Sequence, residues 1–287
     1  MFDLFRELFS YDFILRAMIV GILVALCAAL LGVSLVLKRY SMIGDGLSHV
    51  GFGTLAIAMS LGLAPLQVSI PLVLLAAFLL LRISENSKIK GDAAIALISS
   101  SALAIGVIVI SLTTGLNADV CNYMFGSILA MKQGDLYVSV IVAGVVLVLY
   151  ILFYNKIFAV TFDEQFAGAT GTRTGLYNML IAFLTALIIV VGMRMMGAML
   201  ISSLIIFPSL SSMRIFGSFK RVVICSAILS VLCFFVGLVV SFVLDTPAGA
   251  SIVIANLAAF CLFALIGFAR GRVLLGTAED KSSDEAA

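Results

Sequence analysis

The chain has 287 residues, of which 63% are hydrophobic and 11% are charged, and its formal net charge is +2. Soluble domains average about 45–50% apolar and about 25% charged residues, so this composition excludes a soluble globular protein and indicates a polytopic membrane protein. A net charge this small gives no indication of a nucleic-acid partner.

Hydrophobic segments, taken in chain order, predict an all-α fold with about nine transmembrane helices. A membrane-spanning helix needs about 20 mostly apolar residues. Applied along the chain, this length gives spans at 13–37, 42–62, 66–82, 92–112, 135–153, 176–192, 196–213, 221–243 and 249–269. Eight spans remain an alternative count. The remaining residues predict a short N-terminal segment at 1–12 and a disordered cytoplasmic tail at 270–287.

Positively charged residues predict the orientation of these spans. Lys and Arg occur in alternate loops, whereas the loops at 62–66, 113–119 and 244–248 contain neither. Since cytoplasmic loops carry the excess of Lys and Arg, the basic loops and the C-terminus are predicted to be cytoplasmic, and nine spans place the N-terminus outside. The apolar segment 119–131 would break this alternation as a span, so a re-entrant or interfacial helix is predicted there.

The single histidine lies within the second predicted span, four residues after an aspartate. Asp45 and His49 share one face of a helix at this spacing. Ionisable groups inside a membrane are costly and usually functional. A carboxylate and an imidazole can bind Zn²⁺ or a related divalent metal, but two polar groups can also form a purely structural hydrogen bond. The pair alone leaves both interpretations open.

The longest cytoplasmic loop contains a predicted short helix. Asp163 is a plausible N-cap and Gly171 a plausible stop. Phe162 and Phe166, four residues apart, are predicted to share one face of this helix. The aromatic residues could form a docking surface for a cytoplasmic partner, or they could lie against the lipid as part of an interfacial helix.

A polar turn is predicted on the outer face, between the last two spans. It contains Asp245, Pro247 and Gly249. Pro and Gly are sufficient to explain a turn by themselves. Asp245 could meet an arriving cation or a partner, or it could simply be a solvated turn residue.

Several catalytic and binding motifs do not occur in the sequence. There is no GxxxxGKS/T motif, so the chain cannot hold ATP through a P-loop. There is no HExxH motif, and one histidine cannot form a His-rich catalytic metal site within one chain. The cysteines contain no CxxC pair, which argues against both a disulfide framework and a zinc finger.

Five segments, in this order, resemble the permease subunits of bacterial metal-ion ABC importers, which move zinc, manganese or iron(II). The first is 38–49, with a basic pair followed by Gly-Asp-x-x-x-His. The others are the Tyr-Met-Phe-Gly and Asp-Leu segment at 123–136, the cytoplasmic segment at 162–171, the Gly-Ala-Met-Leu-Ile stretch at 197–208 and the outer turn at 245–249. The similarity covers residues 13–269, nearly the whole chain.

The resemblance implies a transmembrane permease domain at 13–269 in a bacterial cytoplasmic membrane. Two copies of the chain would form the pore, and each would dock on a separate ATP-hydrolysing subunit, so the chain itself would not be an enzyme. An extracytoplasmic protein would deliver the metal, and no cofactor would be bound permanently. Asp45 and His49 become the expected metal ligands. The residues expected to couple to the ATPase are Asp163, Glu164, Phe166, Ala167 and Gly171.

The sequence constrains the identity of the transported metal less than it constrains the family. Asp and His suit Zn²⁺, Mn²⁺ and Fe²⁺ alike. The segments at 197–208 and 245–249 look closer to the zinc branch of the family, and manganese or iron(II) is the alternative. A permease for metal chelates such as siderophores or cobalamin would need a wider pore and a longer chain. A different class, an intramembrane enzyme using Asp45 and His49 as acid and base, would turn over without an ATPase.

Overall fold

The computed structural model describes residues 12–86, 91–113 and 133–284, and within these ranges every regular element is a helix. The all-α prediction is therefore confirmed for the described part of the chain. The helices, in chain order, are α1 Asp12–Leu37, α2 Ile43–Ser60, α3 Pro65–Asn86, α4 Gly91–Leu112, α5 Gln133–Leu152, α6 Tyr154–Phe162, α7 Glu164–Ala169, α8 Thr174–Met196, α9 Ala198–Met213, α10 Phe219–Leu244 and α11 Ala248–Asp284.

The predicted number of spans is wrong, although each predicted segment does contain a helix. In the described residues, six helices are long and apolar enough to cross a membrane, or seven if the bent pair α5–α6 is one span. Helix α9 has 16 residues, which at about 1.5 Å per residue gives about 24 Å, less than the ~30 Å hydrocarbon core. Helix α2 has 18 residues and begins with a polar, glycine-rich stretch. Both helices are mostly buried, so neither needs a lipid-facing composition.

Two other predictions concern parts of the chain at or beyond the limits of the described residues. The segment 119–131 lies outside them, so its re-entrant or interfacial character remains a prediction. The sequence predicts disorder for 270–287, but α11 continues as a helix through Asp284. The division into an N-terminal segment, a permease domain and a tail remains a prediction.

Helix α1 lies at the centre of the bundle, against α5, α8, α9 and α10. Its close contact with α9 depends on Gly32, because a Cβ atom there would lie 2.1 Å from the carbonyl oxygen of Ile205. On the α10 side, the Ser230 hydroxyl donates a hydrogen bond to the Ala25 carbonyl at 2.9 Å. Small residues that allow such close approach are typical of helix packing in membranes.

The bend between α5 and α6 places the segment that contains Asp163 and Gly171 at one end of the bundle. The two helices meet at an angle of 70° around Phe153. Helix α6 then packs against the start of α10, where the Phe158 and Phe219 rings are 5.0 Å apart. Lys38, at the end of α1, contacts Glu164 at the start of α7. Three of the basic loops therefore meet at this end of the molecule.

Candidate functional site

Two glycines in the first turn of α2 determine how Asp45 is presented. A Cβ atom at Gly44 would lie 3.2 Å from the Ile205 side chain of α9, and one at Gly46 would lie 2.5 Å from the Ile95 side chain of α4. The missing side chains therefore let α2 pack closely between α9 and α4. Successive helix residues are about 100° apart, so the Asp45 side chain projects in a direction different from those of Gly44 and Gly46. It is 49% exposed.

Asp45 and His49 are in contact. The Oδ2 atom of Asp45 is 3.5 Å from the Nε2 atom of His49, whose side chain is 25% exposed. The prediction that the pair shares one helix face is confirmed. The intervening Ser48 is buried, and its hydroxyl donates to the Gly44 carbonyl within the helix. The pair thus presents one oxygen-bearing and one nitrogen-bearing group, the donors that divalent transition metals use.

One chain provides an incomplete ligand set. Among the residues that the structure describes, no group of three or more His, Cys, Asp and Glu side chains could hold a metal ion. A structural zinc site uses about four ligands in a tetrahedral arrangement. Asp45 and His49 alone can therefore supply half of such a set, and further ligands would have to come from water or from another chain.

The polar face of α2 is limited to its first two turns. Phe52 and Ala56 continue the same helix face, and both are buried against α4 with Ile110. Gly106 allows this contact, because a Cβ atom there would lie 2.9 Å from the Phe52 ring. Buried apolar side chains therefore lie next to the Asp45–His49 pair, on the side away from the basic loops.

The predicted start and end of the short helix after Asp163 are confirmed. Asp163 has extended backbone angles, and its Oδ1 atom accepts a hydrogen bond from the Phe166 N–H at 2.9 Å. Gly171 has a φ of +81°, and the Thr172 N–H bonds the Ala167 carbonyl at 3.0 Å. Side-chain capping at the start and a left-handed glycine after the end are common helix boundaries. The helix itself, α7, has six residues.

The two phenylalanines do not share a helix face, contrary to the prediction. Phe162 is the last residue of α6, and the extended Asp163 separates it from α7. Both aromatic side chains are exposed, and Phe166 is 67% accessible. Ala167 is fully buried. Helix α7 is therefore held to the rest of the molecule through Ala167, and it exposes the Phe166 side chain.

The structure shows a polar network on the inner side of α7 that the sequence did not predict. The Lys38 ammonium lies 3.0 Å from the Oε2 atom of Glu164 and also donates to the side-chain oxygen of Asn178. The Asn178 amide donates to the Oε1 atom of Glu164 at 2.7 Å. Lys38 and Glu164 are 126 residues apart in sequence. Sequence patterns within single segments cannot identify such a pair, and the basic pair at 38–39 indicates only orientation.

The turn at 245–249 has a clear structural explanation. Asp245 ends α10 with a φ of +51°, a left-handed conformation that Asp tolerates better than most residues. The Thr246 N–H donates to the Ser241 carbonyl, and the Ser241 hydroxyl donates to the Thr246 carbonyl. Pro247 precedes α11, and Gly249 lies in its first turn. A role for this turn in contacting a cation or a partner remains a prediction.

Comparison with known proteins gives a consistent result. The ABC 3 transport family matches residues 10–267. A probable iron transport system membrane protein of Haemophilus influenzae is 35% identical, covering 88% of this chain and 89% of the relative. The manganese import system permease protein ScaB of Streptococcus gordonii is 30% identical, with coverages of 88% and 91%. The high-affinity zinc uptake system membrane protein ZnuB of H. influenzae is 31% identical, with coverages of 92% and 100%.

A solved structure supports the same assignment. PsaBC from Streptococcus pneumoniae, in complex with Fab, superposes on this chain with a TM-score of 0.81 and 30% sequence identity. The match covers 91% of this chain and 94% of that chain. The chain therefore belongs to the ABC 3 transport family and is a multi-pass membrane permease of a metal-ion ABC importer.

Proposed function

We propose that this permease carries a divalent transition-metal ion past Asp45 and His49, with zinc as the first candidate. The observation that carries the proposal is the contact between these two side chains on one exposed face of α2. Oxygen and imidazole nitrogen donors suit Zn²⁺, Mn²⁺ and Fe²⁺. The relatives are named for iron, manganese and zinc, and the similarity of 197–208 and 245–249 to the zinc branch favours zinc.

The ligand set becomes complete if two copies of the chain form the pore. A twofold axis would bring two aspartates and two histidines together, since a symmetric interface uses the same surface of both subunits. The exposure of Asp45 leaves its carboxylate accessible to a second copy. A transported ion must also leave, so we expect a transient, partly hydrated site rather than a closed tetrahedral one.

The energy source would be a separate cytoplasmic ATPase that docks on α7. The exposed Phe166 next to the buried Ala167 supports this proposal, because aromatic anchors dominate the energetics of protein interfaces. Asp163, Glu164 and Gly171 shape the helix that carries the anchor. An extracytoplasmic metal-binding protein would deliver the ion on the opposite face, where the Asp245 turn is a proposed contact.

Metal uptake by cells that lack their own importers tests this function. The permease, its ATPase and its binding protein are expressed together, and uptake of radiolabelled zinc, manganese and iron is measured at limiting concentrations. We expect zinc uptake, and we expect Asp45→Ala and His49→Ala each to abolish it while the protein stays in the membrane. Preferential uptake of manganese or iron would reassign the metal.

A matched control separates loss of ligands from damage to α2. Ser60→Ala removes a hydroxyl from the same helix that bonds only the Ile57 carbonyl of its own last turn. This variant should transport as the wild type does. Normal uptake by both Asp45→Ala and His49→Ala would remove the metal role from the pair.

A further inference from the structure

We propose that Lys38 is a positioning residue that links the ATPase-docking helix α7 to the metal-binding helix α2. This inference rests on the proposed function, because it needs a site on α2 and a partner on α7. It goes beyond that function by assigning a residue that contacts neither the metal nor the ATPase. The starting point is the hydrogen-bonded network around the Lys38 ammonium.

The network joins three elements at one point. Lys38 immediately follows α1, Glu164 is the first residue of α7, and Asn178 lies near the start of α8. The Lys38 side chain is only 10% exposed, whereas Glu164 is 48% exposed. An ammonium with so little water contact depends on its protein partners. A movement of α7 that displaces Glu164 would therefore act directly on Lys38.

A hydrogen-bonded turn connects Lys38 to the metal-binding helix. Arg39 has a φ of +62°, which is uncommon for a residue other than glycine. The Tyr40 N–H bonds the Leu35 carbonyl at 2.9 Å, and the Ile43 N–H bonds the Tyr40 carbonyl at 3.0 Å. Helix α2 begins at Ile43, and Asp45 lies in its first turn. This short, hydrogen-bonded connection has few residues that could absorb a movement, so a displacement of Lys38 should reach the first turn of α2.

The position of Glu164 allows the docked partner to influence the network. Glu164 is two residues before the exposed Phe166, on the same short helix. Successive helix residues are about 100° apart, so the two side chains lie on opposite sides of α7, Phe166 outward and Glu164 toward Lys38. A partner that binds Phe166 and moves this six-residue helix would therefore move the Glu164 carboxylate relative to Lys38.

The test uses the complete complex of permease, ATPase and binding protein in proteoliposomes. Three quantities are measured in parallel: copurification of the ATPase, Zn²⁺ binding to the purified complex, and zinc transport driven by ATP. We expect Lys38→Met to retain assembly and Zn²⁺ binding but to lose transport by roughly 5- to 150-fold, the usual range of coupling between sites. Lys156→Met is the control, because Lys156 is an exposed lysine on α6 at the same end.

A charge exchange distinguishes coupling from simple stabilisation. Lys38→Glu with Glu164→Lys should recover transport relative to Lys38→Glu alone, because the Asn178 amide can donate to one group and accept from the other after rotation. If Lys38→Met does not accumulate in membranes, Asn178→Leu is used instead, since it removes the amide while keeping every charge. It should show the same loss of transport with assembly and Zn²⁺ binding retained.

The outcomes separate this inference from the proposed function. Normal transport by Lys38→Met, or by Asn178→Leu where that variant replaces it, would overturn the positioning role. Loss of Zn²⁺ binding or ATPase copurification in parallel with transport would also overturn it, because Lys38 would then only stabilise the fold. Normal transport by Asp45→Ala would instead contradict the proposed function.

Discussion

The close packing of α2 against α4 predicts a ranking of three Gly→Ala substitutions. Two of them are at this contact, and the third, within α5, is the reference. A Cβ atom at Gly53 would lie 2.5 Å from the backbone carbonyl oxygen of Ala102. Ordinary contacts begin at 3.4 Å, so α4 would have to move by about 0.9 Å at this point. Backbone atoms cannot rotate away, so Gly53→Ala should be destabilising by about 1–3 kcal/mol, the usual cost of overpacking.

The other two positions provide a graded comparison. A Cβ atom at Gly46 would lie 2.5 Å from the Cγ2 methyl of Ile95, a side-chain atom that a change of χ1 can displace, whereas the Ala102 oxygen belongs to the backbone. Gly46→Ala should therefore cost less than Gly53→Ala. Gly144, within α5, has nothing within 4 Å of the position that a Cβ atom would occupy. Gly144→Ala should be neutral or stabilising by about 0.5–1 kcal/mol, because Ala is the better helix former.

Thermal unfolding in detergent measures this ranking. The apparent Tm should be lowest for Gly53→Ala, intermediate for Gly46→Ala, and equal to or above that of the wild type for Gly144→Ala. Gly46→Ala should in addition lower metal uptake, because its new side chain would shift the turn that carries Asp45. Equal Tm values for Gly53→Ala and Gly144→Ala would refute the close packing of α2 against α4.

Three further predictions follow from other parts of the structure. Phe166→Ala should reduce ATPase copurification or uncouple hydrolysis from transport, while metal binding persists; full assembly with full transport would indicate a lipid-facing residue. Arg39→Gly should stabilise the protein by about 1 kcal/mol by relieving its left-handed backbone, whereas Arg39→Val should lower the apparent Tm. Single cysteines at Ala64 and Thr246 should react with impermeant reagents in intact cells, and one at Thr170 should not; labelling of Thr170 would reverse the orientation.

The features that could be predicted from sequence are those with local causes. Hydrophobic length located the helices, and the Asp163 cap and Gly171 stop depend on residues within one helical turn. The span count was wrong because a single length criterion does not distinguish helices that face lipid from helices such as α9 that are short and buried among others. The shared face of Phe162 and Phe166 was wrong for a related reason. An N-cap residue adopts extended backbone angles, so the residue before it cannot continue the same helix.

The features that could not be predicted depend on contacts between distant segments. Asp45 and His49 could be identified because they are one helical turn apart. Lys38, Glu164 and Asn178 come from three separate segments, and only packing of α1, α7 and α8 brings them together. The close approach of Gly46 to Ile95 and of Gly53 to Ala102 likewise needs the relative placement of α2 and α4. A single sequence contains no local signal for either arrangement.

The stoichiometry of metal binding tests the central claim most directly. The purified permease–ATPase complex is equilibrated with Zn²⁺ by dialysis, and bound metal is measured per permease chain for the wild type and for the Asp45→Ala/His49→Ala double variant. The account predicts one bound ion for every two permease chains in the wild type and none at this site in the double variant. Equal binding by the wild type and the double variant would contradict it.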